Sequence, residues 1–296
     1  EKRLFTFRRG LAKPELFLYD VTSSYLEGDH NELADWGYNR DKKRGKKQIV
    51  IGLLCDEEGE PVAVEVFAGN TTDPQTFGAQ VKKVAERFGC RRVTFVGDRG
   101  MIKSAQIEDL ESVDFHYITA ITKAQIRSLI KKDVFQLELF DRQLCEIQDG
   151  DVRYVLRKNP LRAKEMAASR ASKLAAVQGL ADEQNRYLAE HPRADDYAAW
   201  KKVSEKKSRL GLSSIVTVTA ADRRIHLEVD TEYVAYLAEL DGCYTLKTDV
   251  PVQVADKELI HDRYKDLAMV ETAFRTCKTS HLEVRPVFVR TKANTR

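Results

Sequence analysis

The sequence predicts an α/β fold, a mixed sheet flanked by helices and interrupted by a large α+β insertion. Three observations carry this reading. Three β-rich runs follow one another near the start, helix-patterned and strand-patterned runs then alternate, and a long Ala, Lys, Glu and Arg-rich segment separates them from a final strand and helix. With 296 residues, 43% hydrophobic and 32% charged, the chain is long enough to bury a sizeable core and is charged enough at its surface to stay in water.

Residues 15–25 (ELFLYDVTSSY) carry aromatics, Val and Thr at strand density, with Asp20 in the middle of the run. Residues 48–70 form two β-rich runs about the turn signal Asp56 to Pro61, the pattern of a hairpin, so three antiparallel strands are expected in sequence order. Thr76 to Phe88 places Phe77, Val81, Val84, Ala85 and Phe88 on one helical face. The run RRVTFVGDRG reads as a short buried strand that ends at Asp98, and a helix (Lys103 to Glu111) and a strand (His116 to Thr122) follow. The order β-β-β-α-β-α-β is that of the ribonuclease-H-like fold.

After Ala124 the chain becomes polar, with β-like pieces at 151–159, 213–220 and 223–230 around a segment, Leu161 to Leu210, composed like an exposed helical hairpin broken near His191-Pro192. Residues 242–249 read as a strand. One helix is expected from about Asp256 to Lys278, with Leu259, Tyr264, Leu267, Val270, Glu271, Phe274 and Lys278 at helical spacing. The expected domains are therefore 14–124, the first part of the core; 125–241, the insertion; and 242–296, the second part of the core with the Glu271 helix.

Lys+Arg 49 against Asp+Glu 46 gives a net charge of +3, which neither demands nor excludes a polyanionic partner; its distribution decides. No stretch reaches a membrane span's roughly 18 apolar residues and the first ten residues lack a signal peptide's apolar core, so membrane and secretory readings are set aside. The five cysteines, odd in number and never spaced CxxC, read as reduced, mostly buried thiols.

Three acids stand out by position. Asp20 lies mid-strand, Asp98 ends a buried strand, and Glu271 lies on the half-apolar face of the last helix. Converging there, three carboxylates repel one another unless divalent cations neutralise them. Oxygen ligands suit Mg²⁺ or Mn²⁺, and two such ions about 3.5–4 Å apart can activate a nucleophile and stabilise the leaving oxygen of a phosphodiester. Taken singly, each acid is more often structural.

Their contexts agree. FLYDVTSSY, the segment from Trp36 to Asp73, GDRGM and YKDLAMVETAFRTCK, in that order, resemble the DDE transposases of bacterial insertion sequences, specifically the insertion-sequence-four family with its helix motif Tyr-x2-Arg-x3-Glu-x6-Lys. Tyr264, Glu271 and Lys278 meet that spacing, whereas Leu267 occupies the Arg position. The resemblance implies that Asp20, Asp98 and Glu271 are catalytic metal ligands for two Mg²⁺ ions. It also implies that an insertion domain fills the long gap between Asp98 and Glu271, and that the protein is a cytoplasmic, nucleoid-associated transposase. Such a protein cleaves element ends, joins their 3′-hydroxyls to target DNA, and works as a dimer or synaptic oligomer on DNA. The rival readings are a metal-dependent nuclease without strand transfer and a domesticated DNA-binding protein that has lost catalysis.

Tyr264 and Lys278, a heptad either side of Glu271, are expected on its helix face within about 20° per heptad, and Lys278, with Tyr264 and Arg275, to grip the DNA end. In the run 39–47, Arg40, Lys42, Lys43, Arg44, Lys46 and Lys47 are candidates for phosphate contact or an ordinary solvated loop. Trp36 and Tyr38 are read as rings that anchor this loop by burial rather than as stacking rings. Asp73 is read as a helix cap before Pro74, with Asn70 or Asp73 able to orient a metal ligand as the lesser reading. Trp200 is read as a helix contact ahead of a base-stacking role, and His116, His226, His261 and His281 receive none.

Overall fold

The computed structural model describes residues 2–9, 14–279 and 282–296, so His281 lies outside the described residues. The chain divides into two compact units, Glu1–Leu139 with Leu144–Leu156 and Thr245–Arg296, and Phe140–Gln143 with Arg157–Tyr244. Among the described residues no helix is long and apolar enough to cross a membrane. All five cysteines are free, four of them buried.

In the first unit a short helix, α1 (Lys2–Arg9), precedes β1 (Leu16–Tyr25), β2 (Gln48–Asp56) and β3 (Pro61–Phe67). These strands pair antiparallel in sequence order, β2 and β3 through the turn at Asp56 to Pro61. Then come α2 (Asp73–Lys82), β4 (Thr94–Gly97), α3 (Ser104–Glu111), β5 (His116–Ala120) and α4 (Lys123–Lys131). Strands β4 and β5 run parallel to β1, joined by helical crossovers. With β6 (Cys145–Asp149), β7 (Val152–Lys158) and β10 (Cys243–Thr248) the sheet has eight strands in the order β3-β2-β1-β4-β5-β10-β7-β6. Its β3-β2-β1-β4-β5 half is the ribonuclease-H-like order. Residues 145–156, assigned to the insertion from sequence, thus lie in the sheet; only long-range pairing places them there.

Alternation splits β1 between two faces. Phe17, Tyr19 and Val21 join Phe77, Phe95 and Leu110 in the core beneath α2 and α3. The other face carries Leu18, Asp20 and Thr22. A single helix was expected over 256–278, yet two are found, α8 (Lys257–Lys265) and α9 (Leu267–Lys278), meeting at Asp266; α9 packs on β1 and β2 through Phe274 and Val270. The periodicity persists across the break, which is why spacing alone reads one helix.

Helix α2 also starts differently from expectation. Thr72, not Asp73, is its N-cap, with Gln75 reaching back to the Thr72 amide at 3.0 Å. Asp73 is thereby released for another contact. Just upstream, Gly69 sits where three backbones meet: its amide donates to the Leu33 carbonyl, its own carbonyl accepts from the Gln48 side chain, and a Cβ there would stand 1.8 Å from the Gln48 carbonyl oxygen and 2.6 Å from that of Asp35. Backbone cannot swing aside as a side chain can. Gly69→Ala is expected to destabilise by about 1–3 kcal/mol, read as a lower urea midpoint; an unchanged midpoint would refute this packing.

The second unit holds a helical hairpin, α5 (Pro160–Glu190) and α6 (Asp196–Arg209), broken at the His191-Pro192 signal. The hairpin packs on the two-stranded β8 (Val216–Ala221) and β9 (Arg224–Val229), with α7 (Thr231–Ala238) following. Val177, Ala181, Leu188, Val203, Val218 and Ile225 form its core. Trp200 packs against this core and donates its indole N–H to the Val218 carbonyl of β8 at 2.9 Å.

Candidate functional site

Register alone brings two of the three acids together. Leu18 on β1 lies beside Val96 on the parallel β4, so Asp20, within β1, and Asp98, just past the end of β4, each two residues further on, stand at the same level on adjacent strands. Parallel neighbours are about 4.8 Å apart. The Asp98 carboxylate is fixed by its turn, one oxygen accepting the Gly100 and Met101 amides at 2.9 Å each. Thr119 of β5 donates its hydroxyl to the Asp98 carbonyl at 3.1 Å. Helix α9, laid over β1, brings Glu271 to the same place.

The result is a groove of about 470 Å³ lined by Asp20, Asp98, Glu271, Asp73, Tyr38, Arg40, Arg275, Lys278 and neighbouring apolar atoms. Asp20 is the most buried of the three acids. Burial chiefly, then the charges of Asp98 and Glu271, push its carboxyl up to about 7, against the opposing pull of the Val21 amide and Arg40. Among the described residues no three Asp, Glu, His or Cys side chains stand ready as a metal cluster. The donor set nonetheless fits hard divalent cations, because it offers carboxylate oxygens, and the charges of Asp98 and Glu271 help raise the proton affinity of Asp20.

The basic candidates divide. Arg40 enters the groove, pairs with Asp73 and lies over the Tyr38 ring at 5.7 Å. Arg275 lines the groove, as does Lys278, whose side chain is 10% exposed and bonded to Asp41 at 2.9 Å. Burial above all lowers the Lys278 pKa, with Asp41 opposing. Lys42, Lys43 and Arg44 are exposed on the loop, Lys43 against the Tyr25 ring, while Lys46 pairs with Glu27 at 2.8 Å; neither these four nor Lys47 line the groove. Tyr264 lies on α8, before the break at Asp266, and is not among the lining residues, so the expected common face of Tyr264, Glu271 and Lys278 is not continuous.

Two side-chain readings are corrected. Trp36 and Tyr38, expected to anchor the loop by burial, are 59% and 81% exposed. Asp73, read as the helix cap, instead bonds Arg40, and Asn70 donates to Asp35 at 2.8 Å. Asp41 and Arg285 escaped notice in the sequence, although an acid set within a basic run was a visible signal.

Fold and site together define a ribonuclease-H-like core with an acid-lined, cation-rimmed groove at the ends of its central strands. A family model described as the transposase DDE domain matches residues 11–296, so the chain belongs to that family. No curated protein sequence matches it. Solved structures give partial likenesses. The piggyBac transposase synaptic complex with hairpin DNA is 15% identical, covering 50% of this chain and 32% of that one at a TM-score of 0.35. The Mos1 transposase paired-end complex with left transposon end is 14% identical, covering 39% and 38% at a TM-score of 0.25. The chain thus spans about a third of the length of these transposases, and the fold assignment rests on its own strand order.

Proposed function

We propose that the chain is the catalytic domain of a DNA transposase of the insertion-sequence-four type, cleaving element ends and joining their 3′-hydroxyls to target DNA. The observation that carries this is the convergence of Asp20, Asp98 and Glu271 on one groove from two adjacent parallel strands and a covering helix. These three carboxylates would hold two Mg²⁺ or Mn²⁺ ions, which when bound polarise the scissile phosphate and activate the attacking oxygen. Arg40, Arg275 and Lys278 supply the positive rim that seats backbone phosphates. The exposed Tyr38 ring offers a surface on which a base can stack.

Leu267 in the motif's Arg position is consistent with this reading if the guanidinium comes from elsewhere, and Arg40 enters the groove from the loop before β2. In this reading the unit at 157–244 is the insertion domain, and the whole protein acts as a dimer or larger synaptic assembly in the bacterial cytoplasm. The full-length protein carrying this chain should join a pre-cleaved element end to a target duplex in Mg²⁺ or Mn²⁺ and not in EDTA. Joining without divalent cations would sink the metal mechanism, and cleavage without joining would favour a nuclease.

A further inference from the structure

We propose that Asp41 is a positioning residue, the tie that docks the basic loop onto the catalytic helix and so sets Arg40 and Tyr38 in the groove. An acid amid six basic residues looks like charge balance in the sequence. In the structure its side chain is 3% exposed, and a single carboxylate oxygen accepts both Lys278 Nζ at 2.9 Å and Arg285 at 2.8 Å. Lys278 ends α9, seven residues after Glu271, and Arg285 belongs to the segment that follows. One loop carboxylate therefore joins three parts of the chain.

The loop is held on its other side as well. The Arg40 amide donates to the hydroxyl of the fully buried Ser23 on β1 at 2.9 Å, and the Asn39 side chain closes the turn by accepting the Asp41 amide at 3.0 Å. Arg40 is thus fixed between an anchor on the strand of Asp20 and an anchor on the helix of Glu271. Lys278 donates one N–H to Asp41, and its side chain also lines the groove.

Charge counting and positioning predict opposite signs, which makes the inference testable. Removing an acid beside a DNA groove should tighten binding if charge alone matters. If Asp41 positions Arg40, Asp41→Ala should instead bind a DNA duplex about 10-fold more weakly, with the slope of log K against log salt shallower by about one phosphate contact. The same variant in the full-length protein should exchange its amide hydrogens across residues 39–43 at least about 10-fold faster, with β1 unchanged. Asp41→Glu should restore both readouts.

Should Asp41→Ala not fold, Asp41→Asn removes the charge at constant shape and takes the same measurements. Unchanged exchange, or tighter DNA binding, would overturn the inference. The DNA arm rests on the transposase reading and the exchange arm does not. A wild-type protein that binds no DNA, combined with faster loop exchange in the variant, would therefore refute transposition and leave the tie standing.

Discussion

Glu271→Gln and Asp98→Asn are each expected to lower metal-dependent strand joining by at least about 10³-fold while leaving the fold intact. A factor of 10³ corresponds to about 4 kcal/mol of lost transition-state stabilisation, the scale expected when a carboxylate that holds a catalytic cation becomes a neutral amide. Intact folding follows from position. Both side chains are exposed, and an Asn at 98 keeps the carbonyl oxygen that accepts the Gly100 and Met101 amides. Neither change opens a cavity. The measurement pairs a joining assay with a thermal melt of each variant. Joining within threefold of wild type by either variant would remove that residue from the ligand set, and loss of joining with a collapsed melt would refute the claim that the acid is structurally neutral.

The strands that position these acids were legible because local pattern and tertiary environment agree in them. FLYDVTSSY is buried on both faces and reads as a strand whatever surrounds it, and the Asp56 to Pro61 turn fixes the pairing of the next two strands, β2 and β3. The 151–159 run was legible as a strand but not as a member of the sheet, since nothing local says which sheet a strand joins. The break at Asp266 was invisible for a different reason. Apolar spacing survives one irregular residue, and no Pro or Gly marks it. Helix α4 did carry a local signal, Ile126, Leu129 and Ile130 at helical spacing after the Thr122 cap, whereas strand β6 is only five residues long.

In the groove, residue type showed the acids but not the contacts. Six basic residues in the 39–47 run looked equivalent, yet the fold sends only Arg40 into the groove and commits Lys46 to Glu27. Trp36 and Tyr38 were assigned to burial because large rings are usually buried, and they are exposed. Such an exception to an average preference concentrates where a surface is kept for a partner.

Asp20→Asn should abolish joining and at the same time stabilise the metal-free protein at pH 8 by about 1–3 kcal/mol. The reason is the cost of keeping Asp20 ionised. Its folded carboxyl is raised to about 7 from 3.8, by burial first and by Asp98 and Glu271 next. Every tenfold gain in proton affinity on folding corresponds to about 1.4 kcal/mol, and partial hydration of the groove brings the penalty down to the range given. The sign follows from proton counting. Between about pH 4 and pH 7 the folded state binds a proton at Asp20 that the unfolded state has released, so stability from this group falls as pH rises and the whole penalty is present above pH 7. An amide never carries that charge. The gap between variant and wild type should therefore be widest near pH 8, narrow through pH 7 to 5, and close near pH 4. Divalent cations should reverse the starting order of the two proteins, because a ligand that binds only the folded state stabilises it by RT ln(1 + [L]/Kd). Adding Mg²⁺ should raise the wild-type melting temperature and leave Asp20→Asn almost unmoved. Urea titrations of both proteins from pH 4 to 8, with EDTA and with Mg²⁺, test all of this at once. An Asp20→Asn protein no more stable than wild type at pH 8, or an advantage that persists at pH 4, would show that Asp20 carries no ionisation penalty in the fold. A Mg²⁺ response as large in the variant as in the wild type would take Asp20 out of the metal site.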